Sequence, residues 1–134
     1  MYWNATACTS AGSNGNSIFS GCSSFTDLVV GDNVTKIPDF TFRYCSKLKN
    51  VSLGINLTSI GDAAFGDCSS IVSLNIPASL TFIDTYAFAA CKSLTTINYE
   101  GTKAQWNSIT KGSYWNSNTG NYTIHCTDGD VTKS

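Results

Sequence analysis

At 134 residues with 42% hydrophobic content, the chain is long enough for one domain with a real core. A net charge of −1 and a charged fraction of 13%, against about a quarter in ordinary proteins, exclude the basic stripe that nucleic acid requires. No stretch approaches the roughly 18 apolar residues of a membrane span, which excludes membrane insertion.

Residues 1–17 also lack the basic start and long apolar run of a secretory signal. That leaves either a cytosolic protein or a piece of a longer chain, and low charge, Ser, Thr and Asn richness and few Lys favour the piece of an exported chain. Residues 1–15 keep no pattern and read as an N-terminal cap or worn repeat. Ser10 to Ser17 is loop chemistry, with Gly and Asn at turn positions. An uncovered sheet or core at this end would promote self-association.

From Asn16 the chain carries a 23-residue repeat. Cys22, Cys45, Cys68 and Cys91 hold one register, and Phe19, Phe42, Phe65 and Phe88 hold another. Two residue types on one period mark stacked copies of a single supersecondary unit. Six residues after each cysteine stands Leu28, Val51, Leu74 or Ile97, and eight after stands Val30, Leu53, Ile76 or Tyr99. Polar residues alternate with them, which is the signature of a half-buried strand. Every unit runs the same way, so neighbouring strands are parallel, and the rest of each repeat supplies the crossover.

A Gly, Asp, Asn and Pro turn follows each strand. Val34–Ile37, Leu57–Ile60 and Leu80–Ile83 then suggest a second, narrower sheet. Asn16, Asp39, Asp62 and Thr85 are helix N-cap types, so the next five residues, carrying Phe, are expected to form a helical or 3₁₀ turn. The phenylalanines should stack as a spine. The cysteines should form a ladder of free thiols, since equivalent positions in stacked units have parallel side chains and poor disulfide geometry. Cys8 and Cys126 lie near opposite ends, too far apart to pair with each other.

The pattern stops after Tyr99. Thr102 can cap a short helix with Trp106 and Ile109 on one face, Lys111 to Asn121 reads as a loop, and Tyr122 to Cys126 alternates again. With two inserted residues, Tyr122 and Ile124 would take the six and eight positions of a last strand. Residues 16–100 are thus the repeats, 101–127 a C-terminal cap, and 128–134 a frayed tail.

The unit I-G-x-x-A-F-x-x-C-x-x-L-x-x-L-x-I-P, written here as Ile60-Gly61, Ala64-Phe65, Cys68, Ile71, Leu74 and Ile76-Pro77, resembles the BspA-like (Treponema pallidum type) leucine-rich repeats of bacterial and some protist surface proteins. The ending INYEGTKAQWNSI, followed by W-N and Y-x-I-x-C, is similar to the cap of gut bacterial members. The first repeat departs from the pattern, with Pro38 for Gly and Phe40-Thr41-Phe42 before the cysteine. The resemblance implies a right-handed solenoid, α+β or mainly β, displayed on a cell surface or secreted. It also implies adhesion to a protein or glycan on a host or neighbouring cell. It carries no ligand residues.

Chemistry is thin. His125 and Cys126 are neighbours on one strand and point to opposite faces, so they cannot act as a nucleophile pair. The cysteine spacing, one per repeat, is not a zinc motif. Asp128-Gly129-Asp130 lacks the further ligands of a calcium loop. No cofactor is expected, and no enzyme. The surface remains. The outward strand positions form the columns Asp27/Asn50/Ser73/Thr96, Val29/Ser52/Asn75/Asn98 and Gly31/Gly54/Pro77/Glu100. Asn50, Ser52, Ser73, Asn75, Thr96 and Asn98 are the candidate ligand-binding residues, on a sheet that serves either as a recognition face or as plain solvated structure. Tyr114 and Trp115 are second candidates, with Trp115 expected to be exposed and Trp106 to belong to the core. The competing expectation is a structural spacer with no ligand of its own.

Overall fold

The computed structural model describes residues 2–3 and 19–133. The expectations for Cys8, Asn16 and the loop from Ser10 to Ser17 fall outside these residues.

Seven strands build the main sheet: β1 (Tyr2–Trp3), β2 (Asp27–Val30), β4 (Asn50–Ser52), β6 (Ser73–Ile76), β8 (Thr96–Tyr99), β10 (Thr123–Cys126) and β11 (Gly129–Thr132), in that spatial order. All neighbours are parallel except β10 and β11. A second sheet of two-residue parallel strands runs beside it: β3 (Lys36–Ile37), β5 (Ser59–Ile60), β7 (Phe82–Ile83) and β9 (Thr110–Lys111). Within the repeats each strand pairs with its copy one repeat on, as in Leu28 with Val51 and Val51 with Leu74. The narrow sheet inferred from sequence is therefore present.

The core lies between these faces. Phe42, Phe65 and Phe88 are fully buried, with Leu, Ile and Val from both sheets. The spine stacks as expected: Phe19–Phe42 and Phe42–Phe65 have centroids 5.3 Å apart, and Phe65–Phe88 5.2 Å, with planes within 13°. At those separations the rings are offset, the arrangement that π quadrupoles prefer. Each buried thiol has one repeated role. Cys45 donates to the Phe19 carbonyl at 3.2 Å, Cys68 to Phe42 at 3.1 Å and Cys91 to Phe65 at 3.3 Å. The five described cysteines are free. The cysteine thus ties each unit to the phenylalanine of the unit before it.

The helical or 3₁₀ turn expected before each cysteine is instead a pair of tight turns. In the first, Thr41 N–H donates to Pro38 and Cys45 N–H to Phe42. The third residues of these turns, Phe40 and Tyr44, have φ of 61° and 62°, the left-handed requirement of a type II turn. Ala63 and Asp67 repeat this in the next unit, and Tyr86 and Ala90 in the one after. Alternate N–H groups are freed from local bonding and point along the stack. Phe40 donates to Asp62 at 2.8 Å, Phe42 to Ala64 at 2.8 Å and Tyr44 to Gly66 at 2.9 Å. Backbone groups that an isolated helical turn would orphan are satisfied by the next unit. Asp39 likewise accepts from Asp62 N–H, 2.8 Å away, not from its own turn. In the divergent first repeat Thr41 takes the place of Ala64 and is buried, with its hydroxyl donating to the Pro38 carbonyl at 2.6 Å.

The cap corrects three further expectations. Helix α1 (Lys103–Ser108) forms with the Thr102–Gln105 capping box and buries Trp106. The supposed loop after it holds β9 and a last copy of the double turn, with Tyr114 at φ 58° and Asn118 at φ 56°. Ile124, not Tyr122, pairs with Ile97. The offset is four residues beyond the repeat, not two, and it arises before the double turn: Thr110 of β9 already pairs with Phe82, five beyond the repeat, because α1 is inserted between β8 and β9. The supposed frayed tail contains β11, because Val131 packs on the core and its strand satisfies the open edge of β10. At the other end Trp3 pairs with Val30, at the same lengthened spacing, and covers Phe19.

Candidate functional site

The outward side chains of the main sheet fall into two continuous columns. One runs Asp27, Asn50, Ser73, Thr96, Thr123, and the other Val29, Ser52, Asn75, Asn98, His125. All six sequence-derived candidates lie on this face. Asn50, Asn75 and Asn98 are exposed, and Ser52, Ser73 and Thr96 are half-buried. Neighbouring rungs bond along the columns. Asn50 Nδ2 donates to Asp27 Oδ1 at 2.8 Å, and Asn98 Nδ2 to Asn75 Oδ1 at 2.9 Å. The bond from Asn50, then that from Thr26, holds the Asp27 carboxyl below its usual range. His125 at the far end meets Asp130 at 2.9 Å.

The third column is not outward. Gly31, Gly54 and Pro77 are buried where the chain leaves the sheet. A Cβ on Gly54 would lie 2.5 Å from the Gly31 carbonyl oxygen, so these glycines permit close stacking and present nothing to a ligand. Only Glu100 of this column is exposed.

Tyr114 and Trp115 part company. Tyr114 is 64% exposed and stacks on Tyr86 with centroids 5.4 Å apart. Trp115, expected outside, faces in. Phe88 donates its N–H to the Trp115 carbonyl, which places Trp115 on the register of Ala64 and Ala87. From that small-residue position the indole packs edge-on against Phe88, Trp106 and Tyr122. Its reach is the physical reason: no further Phe follows, and the larger ring fills the space.

Sequence reading passed over a groove of about 390 Å³ on the double-turn side. Ala63, Gly66, Ala89 and Ala90 line it with little bulk, between Phe40 with Arg43 and Tyr86 with Asn118. Arg43 lies over the Phe40 and Tyr44 rings, at 5.6 and 4.6 Å. Its Nε is 3.6 Å from Asp67 Oδ2 and is buried without a hydrogen-bond acceptor. Asp62 also lines the groove, and burial, then Asp39 and Asp84, push its carboxyl above the usual range. The signal was present in the sequence. Five residues before each cysteine stand Phe40, Ala63 and Tyr86, but a helical reading of the turn gave that position no direction.

Among the described residues there is no group of three or more His, Cys, Asp or Glu placed to hold a metal ion. No described helix is long and apolar enough to cross a membrane. Burial pushes the Cys91 thiol up to about 12, and the adjacent Cys45 thiol and burial raise Cys68. Buried and bonded to carbonyls of the preceding unit, the Cys68 and Cys91 sulfurs serve as packing groups.

The family profile described as BspA type leucine-rich repeat region matches residues 13–133 in six copies. Its span takes in the cap and most of the tail, consistent with the double turn at Tyr114–Asn118 and with β11. Among solved structures the chain is similar to a leucine-rich cell surface protein from Faecalibacterium prausnitzii A2-165, with a TM-score of 0.64 and 24% identity. The match covers 82% of this chain and 34% of that one, so the chain spans about a third of that protein's length. No curated protein matches.

Proposed function

The chain belongs to the BspA-type leucine-rich repeat family, and on that footing we propose that it is a surface-displayed binding module that recognises a protein or glycan through its main-sheet face. The observation that carries this is the pair of in-register polar columns from Asp27 to Thr123 and from Ser52 to His125. A rigid ladder presents short donors and acceptors about 4.8 Å apart, so little side-chain entropy is lost on contact. The cell-surface protein of similar fold supports display outside the cell.

A second reading, a spacer that holds another domain away from the cell, has its own support. The amides of Asn50 and Asn98 are spent along the columns, where they strengthen the stack. Binding of the chain to an array of extracellular-matrix proteins and glycans separates the two. A ligand lost on changing Asn50, Ser52, Asn75 and Asn98 together to Ala supports the recognition face. Binding unaltered in that variant overturns it, and no binding to any member favours the spacer.

A further inference from the structure

The double-turn side carries an aromatic column of its own, outside the Phe spine. Phe40, Tyr86 and Tyr114 occupy one register with the same left-handed backbone. Tyr86 and Tyr114 are exposed and stacked. Ala63 occupies that register between Phe40 and Tyr86, so the column lacks one ring. The groove lies at that gap, with Phe40 and Tyr86 on either side of Ala63. Two units separate those residues, which at about 4.8 Å per unit is about 9.6 Å. One ring fits between two at that distance. The volume of about 390 Å³ is at the small end of the roughly 300–1,000 Å³ of ligand sites.

The polar lining selects among rings. Arg43 offers donors, Asp62 and Asp67 offer acceptors, and Asn118 offers both. A hydroxyl is donor and acceptor at once, so adjacent hydroxyls use such a mixed set fully. A cation needs only acceptors and would meet Arg43. An anion needs only donors and would meet two carboxylates, with Asp39 and Asp84 close to Asp62. A planar aromatic ring would stack but leave the donors and acceptors of Arg43, Asp62, Asp67 and Asn118 unused. We infer that this groove binds one neutral pyranose of a glycan, its apolar face between Phe40 and Tyr86 and its hydroxyls on Arg43, Asp62 and Asp67. The site is separate from the main-sheet face and does not rest on that reading.

The test is calorimetric titration of the intact chain with neutral gluco-, galacto- and manno-oligosaccharides, alongside uronic-acid and amino-sugar oligosaccharides and a Tyr-containing peptide. Ala63→Tyr supplies the missing ring and should fold, because Phe40 and Tyr86 hold the same backbone in the same column. The expected result is binding of at least one neutral series. Affinity should fall about tenfold or more in Ala63→Tyr, which loses both stacking contacts, and in Tyr86→Ala. Ala63→Tyr should keep the unfolding temperature, and the four-residue main-sheet variant should bind as the native chain does. No neutral binding, preference for the acidic or amino sugars or the peptide, or undiminished binding by a folded Ala63→Tyr would each overturn the assignment. Loss in the main-sheet variant alone would move the glycan to the other face.

Discussion

The middle of the stack and its C-terminal cap solve the same packing problem in different ways. In the middle, identical residues meet identical residues. Phe65 and Phe88 lie within 3° of parallel, and each thiol bonds one carbonyl. In the cap the spacing changes, and the rings turn. Trp115 stands at 83° to Phe88, 63° to Trp106 and 60° to Tyr122. A column propagates only while the next unit offers the same ring, and the last unit offers Asn116 where Phe would stand. The cap therefore stops the column with a broad edge-on indole. Trp3 does the same at the other end, at 73° to Phe19. A repeat is thus sustained by likeness and ended by a change of ring orientation.

Three substitutions sharpen this contrast. The largest effect belongs to the middle. Phe65 has a stacked ring above and below, and Phe65→Ala should cost about 3–5 kcal/mol in chemical unfolding, a large share of a typical total of roughly 5–15 kcal/mol. Trp115→Ala should cost less, about 2–3 kcal/mol, because the indole is only half-buried. Its loss should also be local, with amide exchange accelerating in β10 and β11 well before β4. Equal acceleration across the sheet would show that the cap is not a separate end unit. Asp62→Asn should give the smallest change and the opposite sign. Asp62's carboxyl is raised by burial and by Asp39 and Asp84. The protonated form is thus favoured in the folded chain. That contribution is complete below the ordinary carboxylate range, near pH 4, and is lost as pH rises through the raised value. Asp62→Asn should raise the unfolding temperature at pH 7 and leave it unchanged near pH 3, as thermal scans at the two pH values would show.

Much of the fold was legible because burial repeats. Leu28, Val51, Leu74 and Ile97 keep one register, and every one is buried on the main sheet. The double turn was illegible because its driving force is not local. Asp39 and Asp62 are good caps for a helix, yet the N–H groups of Phe40, Phe42 and Tyr44 bond to the next unit. A single repeat contains no trace of that partner. The cap was misread for a related reason. The extra residues before Ile124 enter with α1, ahead of β9, and the double turn at Tyr114–Asn118 that follows has lost its Phe and Cys. The main-sheet candidates were placed by alternation, whereas the groove depends on the direction of one side chain in a left-handed turn.

Contacts between adjacent units, carried in columns, hold the molecule together. Double-mutant cycles on the Phe spine test this most directly, with Leu keeping bulk while removing the ring. Phe65→Leu and Phe88→Leu, one unit apart, should couple by about 0.5–1.5 kcal/mol. Phe42→Leu and Phe88→Leu, two units apart, should add within about 0.5 kcal/mol. Coupling as strong in the distant pair, or none in the adjacent one, would contradict the account.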